Sequence, residues 1–426
     1  LTLLLATGCS GSKGDGGDDS GSAASGDPVA AVDEDGDRFS EDEDCDDRDP
    51  AVNPGAPEVL DCTDNDCDPA TGDDPAEGLL LWVDAAGEAT DLSDADLTQG
   101  ASLGAGTLVS CGGTWVVELA VDEALTVIGG GPDVTRFESR GRQEVLQIDN
   151  VGEGVTVTGA TLSGGQARAI DLYRTTLALT DVHIVDSETS DSGGGIYADS
   201  SHLVLRDSEL TGNTAGNAGG GIAASSSTVE LVGVRASGNT AARFGGGIYV
   251  ADFGGGLIAE DLEVTDNAAE FGGGMYMVGD QTFRLDRFVF SGNEASIAGG
   301  LHLRSDDAQL SDGAFTSNVA SDIGGAIYCK DSVSSTGLAF TGNEARNQGG
   351  AVYTEAPFDV AGLTVTENSA REGGGFFLAS SGTLEATDAG FSDNSGGDIY
   401  LSIPDSEYTV TSDTVSCSAD TCDEGR

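Results

Sequence analysis

Carboxylates recur at alternate residues in Asp33-Glu34-Asp35-Gly36-Asp37-Arg38-Phe39. They return in Asp44-Cys45-Asp46-Asp47-Arg48-Asp49-Pro50 and again in Asp64-Asn65-Asp66-Cys67-Asp68. Hard cations such as calcium take roughly six to eight oxygens, and alternating carboxylates in a tight loop, with a carbonyl such as that of Phe39, supply them. The expected ligand set is therefore Asp33, Asp35, Asp37, Phe39, Asp44, Asp46, Asp47, Asp49, Asp64, Asp66 and Asp68, and the expected cofactor is Ca2+. Residues 27–78 hold twenty Asp and Glu against two basic residues, Arg38 and Arg48, and no His or Met. Soft or Irving–Williams selection has nothing to act on there. Without a cation, so many carboxylates repel and the segment is expected to unfold. Arg38 stands where an EF-hand loop carries its glycine, which argues against an EF-hand.

The order of these residues resembles the Asp/Cys metal-binding motif of MopE-type secreted bacterial proteins, akin to thrombospondin type 3 calcium repeats. It runs D-x-D-G-D, D-C-D-D, then Asn53-Pro54-Gly55-Ala56-Pro57 and Asp64-Asn65-Asp66-Cys67-Asp68. The resemblance implies a small, loop-rich metal-binding module over 31–78. The Cys-Asp-Gly usual before the last block is here Asp61-Cys62-Thr63. Some relatives are discussed as copper binders.

A scaffold for this module follows it. An apolar residue behind a glycine-rich turn recurs at Ile196, Ile222, Ile248, Met275, Leu301, Ile327, Val352, Phe376 and Ile399, in steps of 26, 26, 27, 26, 26, 25, 24 and 23 residues. Regular steps mean one small unit stacked on its own copies. Short alternating runs such as Leu203-Val204-Leu205, broken by Gly, Ser, Asn and Asp, describe strands and not helices. The fold class is all-β, a parallel β-helix with coils roughly 4.8 Å apart. By the two-residue alternation, the recurring apolar residue and the one two places on (Ala198, Ala224, Val250, Met277, Leu303, Cys329, Thr354, Leu378, Leu401) face inward. The residue between faces out, giving a column of Tyr197, Tyr249, Tyr276, Tyr328, Tyr353, Phe377 and Tyr400, with Ala223 and His302 completing it. Such rings either stack on sugars or a protein partner, or stabilise the coils as a ladder. A recurring Asn, from Asn213 to Asn394, is expected to form an internal amide ladder at a bend.

Gly324-Gly325-Ala326-Ile327, together with Phe290…Asn293, Phe315…Asn318, Phe340…Asn343 and Phe391…Asn394, resembles the repeat of polymorphic outer membrane proteins. That resemblance implies a right-handed, pectin-lyase-like β-helix and a role in surface display and adhesion. Gly113–Leu119, Leu125–Gly129, Val155–Gly159 and Leu177–Leu179 read as less regular opening coils, placing the solenoid at 79–412 and a C-terminal cap or tail at 413–426.

Leu3-Leu4-Leu5-Ala6-Thr7-Gly8-Cys9 resembles the remnant of a lipoprotein signal over 1–9, which implies acylation of Cys9. Residues 10–30 are nearly without apolar side chains and read as a tether. The expected address is the outer membrane or cell surface of a bacterium, with membrane contact only through the lipid. Export permits disulfides among Cys45, Cys62, Cys67, Cys111, Cys417 and Cys422; Cys417 and Cys422 are expected to pair, the other connectivity is open, and Cys329 is expected to be a buried free thiol.

A net charge of −56 excludes nucleic acid as a partner. The solenoid fold keeps a lyase or hydrolase of acidic polysaccharides in view. The sparse candidates are His183, His202, His302, Asp306, Asp307, Lys330 and Asp331, and the even steps leave no inserted loops to wall a cleft. The reading is a monomeric, non-catalytic, surface-anchored calcium-binding lipoprotein meeting a polysaccharide or an envelope or host protein. A polysaccharide-cleaving enzyme and a purely structural rod are the alternatives.

Overall fold

The computed structural model describes residues 33–40, 43–57, 59–68, 78–252, 254–279, 282–305, 308–402 and 408–411. Cys9, the tether, Asp306, Asp307, Cys417 and Cys422 lie outside them. The chain divides into two compact units, Leu1–Pro57 with Asn65–Asp68, and Glu58–Asp64 with Pro69–Arg426.

The larger unit is a parallel β-solenoid of about 11 turns. Its first strand departs from that rule: Leu81–Asp84 pairs antiparallel with Ala89–Asp91 and Gly106–Ser110. From there each coil lays strands on the coil before it. One face carries the recurring apolar residue, with Ile196 opposite Ile222, Ile222 opposite Ile248 and Ile248 opposite Met275. A longer face runs through Gly256–Thr265, Phe283–Ser291, Ala308–Thr316, Val333–Thr341 and Pro357–Thr366, all parallel and in register. Short strands such as Thr214–Ala215 and Thr240–Ala241 close the third side.

The glycines mark where coils approach one another. Gly219 has φ +62°, and a Cβ on Gly220 would lie 2.4 Å from the Gly246 carbonyl oxygen of the next coil. A larger residue there would push two coils apart.

Inside, the inward columns form one core. Ile196 to Phe376 are fully buried at the recurring position, and Phe290, Phe315 and Phe340 stack at 5.2 and 5.1 Å between ring centroids. Leu401 departs from the expected pattern: it is 37% exposed, because it sits in the last strand of its face among the described residues. The asparagines form the expected ladder. Asn293 Nδ2 donates to Asn318 Oδ1 (2.9 Å) and to the Val264 carbonyl (2.8 Å), and the Asn293 backbone N–H donates to the same Asn318 Oδ1 (3.1 Å). At the far end Asn394 has no next asparagine, and its Nδ2 donates to Asp398 Oδ1 instead (2.8 Å).

Candidate metal centre

The first acidic block folds because its own carboxylates bind its own backbone. Asp33 Oδ1 accepts from the Gly36 N–H (2.6 Å) and its Oδ2 from the Arg38 N–H (3.2 Å). Asp35 Oδ1 accepts from the Asp37 N–H (3.1 Å), and Asp37 Oδ1 from the Phe39 N–H (2.8 Å). These turns swing alternate carboxylates to one side. Gly36 and Arg38 both take the left-handed region, at φ +82° and +96°. The chain therefore bends at Arg38 as a glycine would, although an arginine stands there.

The second block adds Asp44 and Asp47. Asp44 is 8% exposed; its Oδ1 accepts from the Asp46 N–H (2.9 Å). Carboxylate oxygens of Asp35, Asp37 and Asp44 lie within 4.8 Å of one another, as do those of Asp33, Asp35 and Asp47. Four buried oxygens here have no hydrogen-bond partner: Asp35 Oδ2, Asp37 Oδ2, Asp44 Oδ2 and Asp47 Oδ1. A charged acceptor shielded from water and left unpaired is destabilising. Desolvation pushes Asp35 above the ordinary carboxylate range, and the nearby charges of Asp37, Asp44 and Asp33 add to it against the pull of the Asp37 N–H. A hard cation held by either group would supply a missing partner to the carboxylates of that group.

Asp46, Asp49, Asp64, Asp66 and Asp68 belong to neither of these convergent groups. Asp49 and Asp46 are exposed, and Asp49 Oδ1 caps the Ala51 N–H (3.0 Å). Asp66 Oδ1 accepts from the Asp68 N–H (2.9 Å), and Asp64 is exposed in the solenoid unit. Cys45 pairs with Cys67, and the Asn53 N–H donates to the Asn65 carbonyl (2.8 Å), so residues 65–68 join the acidic unit. Cys62 pairs with Cys111 inside the solenoid unit. Cys329 is the buried free thiol among the described residues, pushed up to about 12 by burial.

The aromatic column runs as expected along one face, but its rings lie on one another. Tyr276 to His302, His302 to Tyr328, Tyr328 to Tyr353, Tyr353 to Phe377 and Phe377 to Tyr400 stack at 4.3, 4.6, 5.4, 5.2 and 5.1 Å. Tyr249 meets Tyr276 at 5.8 Å, and Tyr197 lies under the Arg168 guanidinium at 4.9 Å. Phe244 and Phe271 come round the corner onto Tyr276 and His302. Tyr276, His302 and Phe377 are only 8%, 6% and 3% exposed. His302 thus differs from the surface filler its position suggests: burial first, then Arg304 and Lys330, hold its imidazole down at about 3. Phe244 and Phe271 escaped the sequence reading because they precede the glycine turn and lie off the counted columns. Among the described catalytic candidates, His183 and His202 pair with Glu209 and Glu230, and the Asp331 carbonyl accepts from the Cys329 thiol.

Residues 168–415 match the family described as Right handed beta helix region. The chain belongs to that right-handed beta helix family. Residues 44–73 match the MopE "Putative metal-binding motif", which overlaps the second half of the carboxylate cluster. No curated protein sequence matches the chain. Among solved structures it is similar to the catalytic domain of a GH87 alpha-1,3-glucanase in complex with nigerose (TM-score 0.46, 11% identity, 75% of this chain and 69% of that one). It is also similar to tailspike protein 3 of bacteriophage CBA120 (TM-score 0.43, 11% identity, 74% and 57%).

Proposed function

We propose that this β-helix protein binds calcium through Asp33, Asp35, Asp37, Asp44 and Asp47 and serves as a non-catalytic adhesion or envelope-interaction protein. Acylated Cys9 would hold it at a bacterial surface. The observation that carries the calcium reading is the set of four buried carboxylate oxygens without partners. All are hard donors, the module holds no imidazole or thioether, and its three cysteines, Cys45, Cys62 and Cys67, are all in disulfides. The even coils support display over catalysis, since no inserted loop walls a cleft around paired acids among the described residues.

Titrating calcium into the full chain after EDTA treatment tests this by calorimetry. Saturable binding is expected, in the range of about 0.1 µM to 1 mM where such sites fall, and it is lost in Asp44→Asn. Equal binding by that variant, or none by the natural chain, would overturn the assignment.

A further inference from the structure

We propose that Tyr328 is a redox-active tyrosine, the point at which the stacked ring column traps the oxidising equivalent of a one-electron oxidant. This activity is independent of calcium and adhesion and stands on the geometry of the column. The residue two places past each column tyrosine lies on the same outer face. One coil further on, that position holds Ser225 for Tyr197, Val278 for Tyr249, Arg304 for Tyr276 and Ala379 for Tyr353. For Tyr328 it holds an acid, Glu355.

The Tyr328 hydroxyl donates to Glu355 Oε1 (2.7 Å), and Tyr328 alone of the column's tyrosines has such a partner for its phenol among the described residues. Both side chains are half-buried. Burial first, then the Glu355 hydrogen bond and charge, push the phenol above its ordinary value, so it meets an oxidant with its proton still on the oxygen. A phenol gives up an electron readily when its proton can leave with it, and a carboxylate already at hydrogen-bond distance receives that proton. The Tyr328 O–H bond breaks, the proton forms an O–H bond on Glu355, and one electron passes to the oxidant, such as an oxygen-centred radical, which is reduced. A neutral tyrosyl radical and a carboxylic acid remain.

The stack supplies the route to the surface. From Tyr328 the rings of Tyr353, Phe377 and Tyr400 follow at 5.4, 5.2 and 5.1 Å, with planes tilted by 10°, 6° and 10°, so their π systems overlap. Tyr400, the last ring of the column among the described residues, is 38% exposed. An oxidant that meets Tyr400 takes an electron there, and Tyr328 replaces it through the stack. Tyr400 ends unchanged, and the radical settles where the proton has an acceptor. A purely structural ladder has no use for an acid at this one position.

Flash photolysis of the full chain with a soluble ruthenium polypyridyl photo-oxidant tests the proposal. The tyrosyl radical is followed by transient absorption and by electron paramagnetic resonance of freeze-quenched samples. The natural chain is expected to form the radical in a fast phase. Glu355→Gln keeps an acceptor oxygen but takes no proton, and it should slow that phase about 100-fold or more. Tyr328→Phe places there the ring type of Phe377 and should abolish the phase, with the melting temperature unchanged in both variants. Tyr400→Ala should slow it by removing the exposed end of the stack. A fast phase that is missing from the natural chain, survives in Tyr328→Phe, or keeps its rate in Glu355→Gln would overturn the redox role of Tyr328. An unchanged rate in Tyr400→Ala would overturn the route through the stack.

Discussion

His302 shows what one residue costs when a repeat column accepts a titratable member. Its ring lies between Tyr276 and Tyr328 at 4.3 and 4.6 Å, and its Nδ1 is buried without a partner. Its value is about 3 in the fold, against about 6.5 in the unfolded chain. Below the unfolded value the unfolded chain takes up a proton that the fold refuses, so stability falls as pH drops from neutrality towards 3. His302→Phe, which places there the residue type of Phe377, should remove that dependence. Between pH 7.5 and 4.5 the natural chain is expected to lose roughly 2–3 kcal/mol more than the variant, measured by urea unfolding at both pH values. Equal losses would mean that the imidazole is not held neutral. The two-residue alternation told which side of the strand His302 occupies. It could not tell what covers that side, because the cover comes from Phe271 on another side of the coil.

At the scale of the acidic module, the disulfide and the proposed cation would do the work of a core. Val52 is the buried hydrophobic residue of that unit among the described residues, far too little apolar surface to hold a loop-rich segment together. Cys45–Cys67 closes a separation of 22 residues, and its sulfurs lie within 4.8 Å of an Asp44 oxygen. Crosslink and ion therefore stabilise the same folded form, and each should strengthen the other. Calcium affinity of the Cys45→Ser/Cys67→Ser variant is expected to fall roughly 10- to 100-fold, given about 3 kcal/mol from closing a loop of this size. Calorimetry on both proteins checks it, and undiminished affinity in the double variant would refute the coupling. The carboxylates of this site were legible because alternation around a turn is a local property. The cysteine pairing was not: four cysteines allow three pairings, and nothing in the spacing of Cys45, Cys62, Cys67 and Cys111 chooses among them. Which acids converge was also hidden, since Asp46 and Asp47 are equivalent in sequence and only the turn after Asp44 leaves Asp47 half-buried and Asp46 exposed.

Across the whole molecule, the asparagine ladder links every coil from Asn213 to Asn394 to the next one by the same bonds, and this is why the fold was so readable from one period. A linear array of this kind behaves as a chain of nearest neighbours, so the position of a break matters as much as its chemistry. Asn318→Ala would take the acceptor from the Asn293 N–H and one partner each from the Asn293 Nδ2, the Phe290 carbonyl and the Asn343 Oδ1; the Asn293 Nδ2 keeps the Val264 carbonyl, the Asn343 Oδ1 keeps the backbone N–H of residue 318, and the three asparagines are 0% exposed. The buried hydrogen bonds lost and the donor left unpaired put the cost at about 2 kcal/mol or more. Asn394→Ala removes the last asparagine of the ladder, and its contacts with Asn368, Val365 and Asp398 are lost. Hydrogen exchange should then separate the two variants. Asn318→Ala is expected to lower protection in the coils on both sides, from Phe283–Ser291 to Val333–Thr341, and to lower the unfolding midpoint of the array. Asn394→Ala should fray the last coil and leave protection at Phe283–Ser291 unchanged. If both variants lost protection uniformly along the chain, the solenoid would be one cooperative block, and a local break could not be contained by the coils beside it. If neither lost any, the ladder would be a consequence of coil stacking, with the glycine corners and the phenylalanine stack holding the coils together.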